Sequence, residues 1–176
     1  PYCSRVCCTK SVKMALRIKD KNPKANIFII YRDMRTYSYF EEDYERARRE
    51  GILFVRYSQD KKPVVTSDGN KLTVTVTDHV LGRPIAIDAD IVSLAAAVIS
   101  PEDGPQLSKW FKVPLNQEGF FLEAHMKLRP VDFSTDGVFM AGLAHGPKNL
   151  EENITQAKAA AGRAGTVLAQ DQVQAE

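Results

Sequence analysis

All the cysteines of the chain, Cys3, Cys7 and Cys8, fall in its opening Pro-Tyr-Cys-Ser-Arg-Val-Cys-Cys stretch. Clustered thiols are soft, polarisable donors suited to a transition metal or an iron–sulfur cluster. A helix beginning near Ser4 puts Cys7 and Cys8 in its first turn, where unsatisfied backbone N–H groups and the positive end of the dipole favour thiolate over thiol. Two other readings stand beside this one. Free cysteine is commonly a small buried apolar residue, and three thiols are one short of the four that close a metal site. Three thiols with a water or a histidine would also make a tetrahedral zinc site. A secreted disulfide framework is disfavoured, because the odd, clustered set has no distant partner.

A second constellation lies near the other end, in Gly142-Leu143-Ala144-His145-Gly146-Pro147-Lys148. A strand is expected before it, over Val138 to Leu143, and a helix after it, with Asn149 as N-cap and Glu152 completing a capping box. Free N–H groups at such a helix start attract an anion, and His145 and Lys148 add polarity. Many strand-to-helix loops carry Gly and Lys without a ligand, so these residues alone do not decide the matter. No GxGxxG or Walker motif occurs in the chain. His79 and His125 are scattered and read as surface or structural, and Ser4 forms no recognisable hydrolase triad.

These residues need elements to position them. The first half reads as a helix from Ser4 to about Lys19, a strand at Asn26 to Tyr31 written as if buried on both faces, a helix from Phe40 to Glu50 stopped by Gly51, and a strand from Ile52 to Tyr57. Helix, strand, helix, strand is half of a doubly wound α/β layer. A β-meander follows: Pro63 to Thr66, a turn at Ser67-Asp68-Gly69-Asn70, Leu72 to Thr77 in strict alternation, and Pro84 to Ile87. Asp90 to Ala97 looks like a buried strand returning to the sheet. Ser100 to Gly104 is the best boundary, with a short helix over Pro105 to Phe111. Phe120 to Leu122 and Val131 read as edge pieces. The last helix runs from about Leu150 to Ala169, with one side almost without bulk, open to a ligand or to a tight helix-on-sheet contact. Gln170 to Glu176 reads as a frayed tail.

Composition narrows the function classes. A net charge of +2 gives little reason to propose nucleic acid. The longest apolar run, Ile91 to Ile99, is too short to cross a bilayer. The chain opens without an apolar leader and without Met, which suggests a piece of a longer polypeptide in a reducing, cytoplasmic setting.

Taken together, Tyr2-Cys3-Ser4-Arg5-Val6-Cys7-Cys8, Arg32-Asp33-Met34-Arg35-Thr36-Tyr37, Glu45-Arg46-Ala47-Arg48 with Glu50-Gly51, and Gly137 to His145 with Pro147-Lys148 and Gln156-Ala157 strongly resemble the A subunit of heterodisulfide reductase. The related A and B subunits of the quinone-interacting membrane-bound oxidoreductase share the pattern. The resemblance implies part of a thioredoxin-reductase-like FAD/NAD(P)-binding α/β fold. Residues 1–99 would be a nucleotide-domain-like lobe with a three-layer β-meander, residues 100–170 the C-terminal part of the FAD domain, and residues 171–176 a tail. It implies a [4Fe–4S] cluster held by Cys3, Cys7, Cys8 and a fourth cysteine upstream. It also implies FAD against Gly142, Leu143, Ala144, His145, Lys148 and Asn149, with main-chain N–H groups from about His145 onward facing its ring and diphosphate. Leu143 stands where ordinary flavin-superfamily members place an Asp. The implied function is an electron-transfer oxidoreductase, relaying electrons between FAD and [4Fe–4S] centres toward a disulfide- or quinone-linked acceptor in concert with further subunits. Alone, the fragment is expected to be inactive and to bind FAD poorly or not at all. The rival is a cofactor-free scaffold or subunit-interaction domain with inert reduced cysteines.

Overall fold

A computed structural model describes residues 3–69 and 71–172. The backbone falls into two compact units, Cys7–Ala96 and Ala97–Glu176 together with Pro1–Val6. The boundary cuts through the cysteine motif itself. Tyr2, Asn70 and the tail from Val173 lie outside the described residues.

In the Cys7–Ala96 unit, α1 (Cys7–Lys21) carries no acid in its first turn and Lys19 and Lys21 in its last. Thr9, Val12, Ala15 and Leu16 recur at helical spacing and form its buried stripe. That stripe packs with Ala47 of α2 (Phe40–Arg49) and with Ile52. Acids open α2 and arginines close it, as the helix dipole favours. Gly51 ends it at a φ of +78°, a left-handed conformation open to glycine at no steric cost. β1 (Phe28–Tyr31) and β2 (Leu53–Arg56) are parallel, Phe28 opposite Leu53 and Tyr31 opposite Arg56. The meander is β3 (Val64–Asp68), β4 (Lys71–Thr77) and β5 (Pro84–Ala89), antiparallel throughout. Alternation in β4 buries Val74 and Val76 against Val55 and Ile87 while Thr75 faces out.

Three expectations about this unit fail. The meander is one three-stranded sheet, not three layers. β1 is not buried on both faces, since Phe28 is 37% exposed and, among the described residues, β2 is the only strand paired to it. The segment Asp90–Ala96 forms no strand, and Ile91 and Leu94 are more than 80% exposed. A strand written for a sheet interior needs ladder partners on its edges, and among the described residues this one has none, so its backbone remains irregular.

In the second unit, α3 (Gly104–Phe111) has Pro105 in its first turn and ends on Lys112 in a left-handed conformation. A small core joins Val113, Phe133 and Met140, with Phe121 edge-on to Phe133 at 6.0 Å. The strand expected over Val138 to Leu143 is reduced to one bridge, Phe139 opposite Asp132, flanked by the Met140 N–H on the Val131 carbonyl at 2.8 Å. Its partner stretch is short, and at Gly142 (φ +75°) the chain turns into a 3-10 turn, Gly142–Ala144. α4 (Leu150–Leu168) has no buried residue at all. On its bare side Ala157, Ala159, Ala161, Gly162 and Gly165 are exposed, and Ala160 and Ala164 are half-buried. Among the described residues no helix is long and apolar enough to cross a membrane.

Because Leu16 is 3% exposed at the centre of the first unit's core, Leu16→Ala should cost about 2–5 kcal/mol. Urea unfolding followed by circular dichroism measures it; a loss below about 1 kcal/mol would show that the α1 stripe is not the core.

Candidate functional site

The opening of the cysteine motif is fixed by its polar neighbours. Ser4 is buried, and its Oγ accepts the Val98 N–H at 2.9 Å. Arg5 sits at a φ of +57°, a conformation that costs a non-glycine residue roughly 1 kcal/mol. That turn aims its guanidinium at the start of α4, where Nη2 donates to Glu152 Oε1 at 2.6 Å and Nη1 to the Pro147 carbonyl at 3.4 Å. The Arg5 N–H points back at Cys3 Sγ, 3.4 Å away. The other Glu152 oxygen accepts the Asn149 N–H at 2.8 Å, closing the expected capping box. One carboxylate thus caps α4 and holds the strap that bears Cys3.

The loop that follows Met140 is held by a relay of hydrogen bonds. The Gly142 N–H can only donate, so the Gln156 oxygen faces it at 2.9 Å. The Gln156 amide nitrogen then meets His145 Nδ1 at 2.9 Å, making Nδ1 the acceptor and leaving the ring proton on Nε2. Nε2 in turn lies 2.7 Å from the Glu123 carboxylate. One turn short of the end of α4, Arg163 grips buried Asp132 through Nε and Nη2 at 3.0–3.3 Å. Glu152, Gln156 and Arg163 therefore tie the helix down by polar contacts on one face, in place of an apolar stripe.

Electrostatics follow this geometry. Burial pushes Glu123 up, but its own backbone N–H, His145 and Lys148 outweigh burial and hold its carboxyl below the ordinary value. Glu152 is likewise raised by burial and lowered further by the Asn149 N–H and Arg5. Burial, aided by the charge of Arg5, pulls Lys148 below the usual lysine value.

Of the residues expected to meet a flavin, Leu143 is half-exposed, and the N–H groups of His145, Gly146 and Asn149 are already given to Gly142, Leu143 and Glu152. Arg5 and Lys148 supply positive charge beside the helix start, while Glu151 and Glu152 oppose an anion there. The loop thus spends the N–H groups of His145, Gly146 and Asn149 within the chain. Arg5, Glu123 and Gln156 are its organisers. Arg5 and Gln156 fall in the motifs that carry the resemblance but with no role legible there, Glu123 carries no sequence signal, and no spacing rule would have linked Arg5 to a residue 147 positions away.

Cys7 and Cys8 lie in the other unit, in the first turn of α1, which starts at Cys7 and not at Ser4. The left-handed Arg5 is what delays the helix. Cys8 Sγ approaches the Asp33 carbonyl at 3.6 Å. All three cysteines are half-buried and outside any disulfide. They fit a soft metal by donor type, and among the described residues no three His, Cys, Asp or Glu side chains are gathered around a common point. His79 is exposed, and His125 Nδ1 caps the turn formed by Lys127 and Leu128, a structural role in keeping with its sequence reading.

No protein-family model matches the chain. It is similar along its whole length to curated archaeal proteins. With the A subunit of the H2:CoB–CoM heterodisulfide, ferredoxin reductase of Methanothermobacter thermautotrophicus it shares 39% identity over 180 residues, covering all of this chain and 27% of that protein. With the iron–sulfur A subunit of the CoB–CoM heterodisulfide reductase of Methanocaldococcus jannaschii it shares 37% over 177 residues, 99% of this chain and 27% of the relative. With a protein of Archaeoglobus profundus described as like the A subunit of heterodisulfide reductase it shares 38% over 177 residues, 99% of this chain and 25% of the relative. The chain thus spans about a quarter of the length of the relatives it matches. From end to end its sequence is similar to one stretch of these heterodisulfide reductase A subunits.

Two outcomes follow from the relay and its charges. Gln156→Leu removes the acceptor of the Gly142 N–H and should cost about 1 kcal/mol. It should also speed amide hydrogen exchange at Gly142; unchanged exchange there would refute the relay. Glu123 and Glu152 have lowered folded-state pKa values, so the unfolded chain binds their protons first. Their stabilisation is complete above the unfolded carboxyl value of about 4.3 and is lost as pH falls through the folded values. Thermal midpoints measured from pH 7 to pH 3 should fall more steeply in the wild type than in the Glu123→Gln/Glu152→Gln double variant.

Proposed function

We propose that this chain is a segment of an iron–sulfur flavoprotein oxidoreductase of the heterodisulfide reductase A type, which relays electrons between FAD and [4Fe–4S] centres toward a disulfide- or quinone-linked acceptor. The observation that carries this reading is the end-to-end similarity to proteins named as heterodisulfide reductase subunits, in a chain that opens with Cys3-x-x-x-Cys7-Cys8. In this reading Cys3, Cys7 and Cys8 are three of the cluster's four thiolate ligands. The thioredoxin-reductase-like fold and its division between a nucleotide-domain-like lobe and the end of an FAD domain belong to the same proposal. So do the cytoplasmic setting and the docking of further heterodisulfide reductase subunits.

The chain's own residues have definite parts in it. Arg5 and Lys148 place positive charge beside the first turn of α4, where N–H groups without intrahelical partners remain to receive a diphosphate. Gln156, oriented by the Gly142 N–H, holds the His145 ring through Nδ1 and so keeps Nε2 against the Glu123 carboxylate. Leu143, exposed at the turn, offers an apolar surface where a carboxylate would have bonded a ribityl chain. FAD, when bound, supplies the exchange between two-electron and one-electron transfer. The scaffold reading, with inert thiols, differs in what it predicts for metal.

Anaerobic reconstitution with iron and sulfide, with a small thiol as fourth ligand, discriminates between the two. The chain should bind iron and acid-labile sulfide in cluster proportions and develop broad visible absorption. Cys3→Ser, Cys7→Ser and Cys8→Ser should each reduce both. A colourless protein with three titratable thiols after reconstitution would contradict the ligand assignment.

A further inference from the structure

We infer that Asp136 is a site of spontaneous backbone modification, where the chain isomerises from an ordinary aspartyl to an isoaspartyl linkage through a succinimide closed by the nitrogen of Gly137. The site lies wholly within the unit that contains Ala97–Glu176 and needs neither the cluster nor the flavin of the proposed function.

The chemistry asks for an aspartate, a following residue with no side chain to block the approach, and a main chain free to fold its nitrogen onto the carboxyl group. The sequence holds three Asp-Gly pairs, Asp68-Gly69, Asp103-Gly104 and Asp136-Gly137. The fold separates them. The Gly104 N–H donates to the Pro101 carbonyl at 3.3 Å, the Asp103 carbonyl accepts from Gln106 and Leu107 at 3.0 and 3.1 Å, and Gly104 is buried at the start of α3. Asp68 ends β3 in register with Lys71, so the ladder fixes its main chain.

Asp136 has no such restraint. Its side chain is 95% exposed, and Gly137 is exposed at a φ of +76°. From Ser134 to Gly137 no main-chain N–H or carbonyl is hydrogen-bonded among the described residues. The turn is closed at its ends by the Phe133 N–H on the Val138 carbonyl at 3.2 Å and by the bridge between Asp132 and Phe139. Side chains tether the rest: Thr135 Oγ1 donates to the Lys112 carbonyl at 2.7 Å, and Arg129 Nη2 lies 3.6 Å from Asp136 Oδ1.

The step balances with water alone. The Gly137 nitrogen attacks Asp136 Cγ, an N–Cγ bond forms, a Cγ–O bond breaks, and water leaves with the amide proton and the carboxyl proton. Water then adds to either carbonyl of the five-membered ring. Opening at Cγ restores aspartate; opening at the main-chain carbonyl leaves the chain running through Cβ and Cγ, one methylene longer, with the carboxylate on Cα. Nothing is oxidised or reduced. The added length falls in the turn that joins Phe133 to Val138, beside the small core of Val113, Phe133 and Met140 from which the Gly142 loop departs. Modification therefore loosens the approach to the candidate cofactor loop.

The test ages the whole chain in neutral buffer, folded and in urea, and counts isoaspartate at each pair by peptide mapping. An isoaspartyl-specific carboxyl methyltransferase with labelled S-adenosylmethionine gives an independent count. In the folded chain isoaspartate should accumulate at Asp136 well before Asp68 and Asp103; in urea the three should react at similar rates. Asp136→Glu keeps the charge but would need a slower six-membered ring, so the folded variant should lose the label. Because Asp136 is almost wholly exposed, this variant keeps the fold, which circular dichroism checks. Faster amide exchange at Phe133 in the modified fraction supports the effect on the turn, and unchanged exchange refutes it. No isoaspartate at Asp136 in the folded chain, faster reaction at Asp68 or Asp103, the same preference for Asp136 in urea, or full labelling of Asp136→Glu would overturn the site.

Discussion

The contact between Arg5 and Glu152 joins the two ends of the chain's chemistry. Arg5 belongs to the cysteine motif and Glu152 caps the helix that follows the candidate cofactor loop. Their 2.6 Å ion pair brings together residues 147 positions apart, and the left-handed turn at Arg5 exists to make it. Exposed ion pairs contribute little to stability as a rule. This one differs in being embedded: Glu152 is also spent on the Asn149 N–H, and Ser4, one residue before Arg5, is buried against Val98.

α4 has no apolar stripe to seat it, and its attachment runs through polar residues spaced along one side. Glu152 reaches the strap, Gln156 the Gly142 turn and Arg163 the buried Asp132. A helix held this way depends on direction more than on area, since hydrogen bonds lose their strength when misaligned whereas apolar contacts slide. The same residues that locate the helix also orient the His145 ring and set the charge around Lys148, so stability and site geometry share one network.

Much of the first unit was legible in the sequence. The α1 stripe, the acid-to-base order of α2, Gly51 and the Asp68-Gly69 turn are local signals, and local signals gave their elements within a few residues. The capping box at Asn149 and Glu152 was legible for the same reason. Failures occurred where a segment's state is set by its neighbours. Asp90–Ala96 carries the pattern of a sheet-interior strand but has no ladder to join, and Val138 to Leu143 finds only a short partner. The cysteines could be placed in a first turn, yet the helix begins three residues later than Ser4 because Arg5 turns left-handed for a contact that no local pattern announces.

The central claim is that Arg5 and Glu152 act as a coupled pair that fixes the Cys3 strap to the start of α4. A double-mutant cycle tests it most directly, using Arg5→Ala, Glu152→Gln and their combination, with stability from urea unfolding at low salt. A coupling energy of about 0.5–1 kcal/mol that shrinks at high salt is the predicted result. Additive losses, with no coupling at either salt concentration, would contradict it.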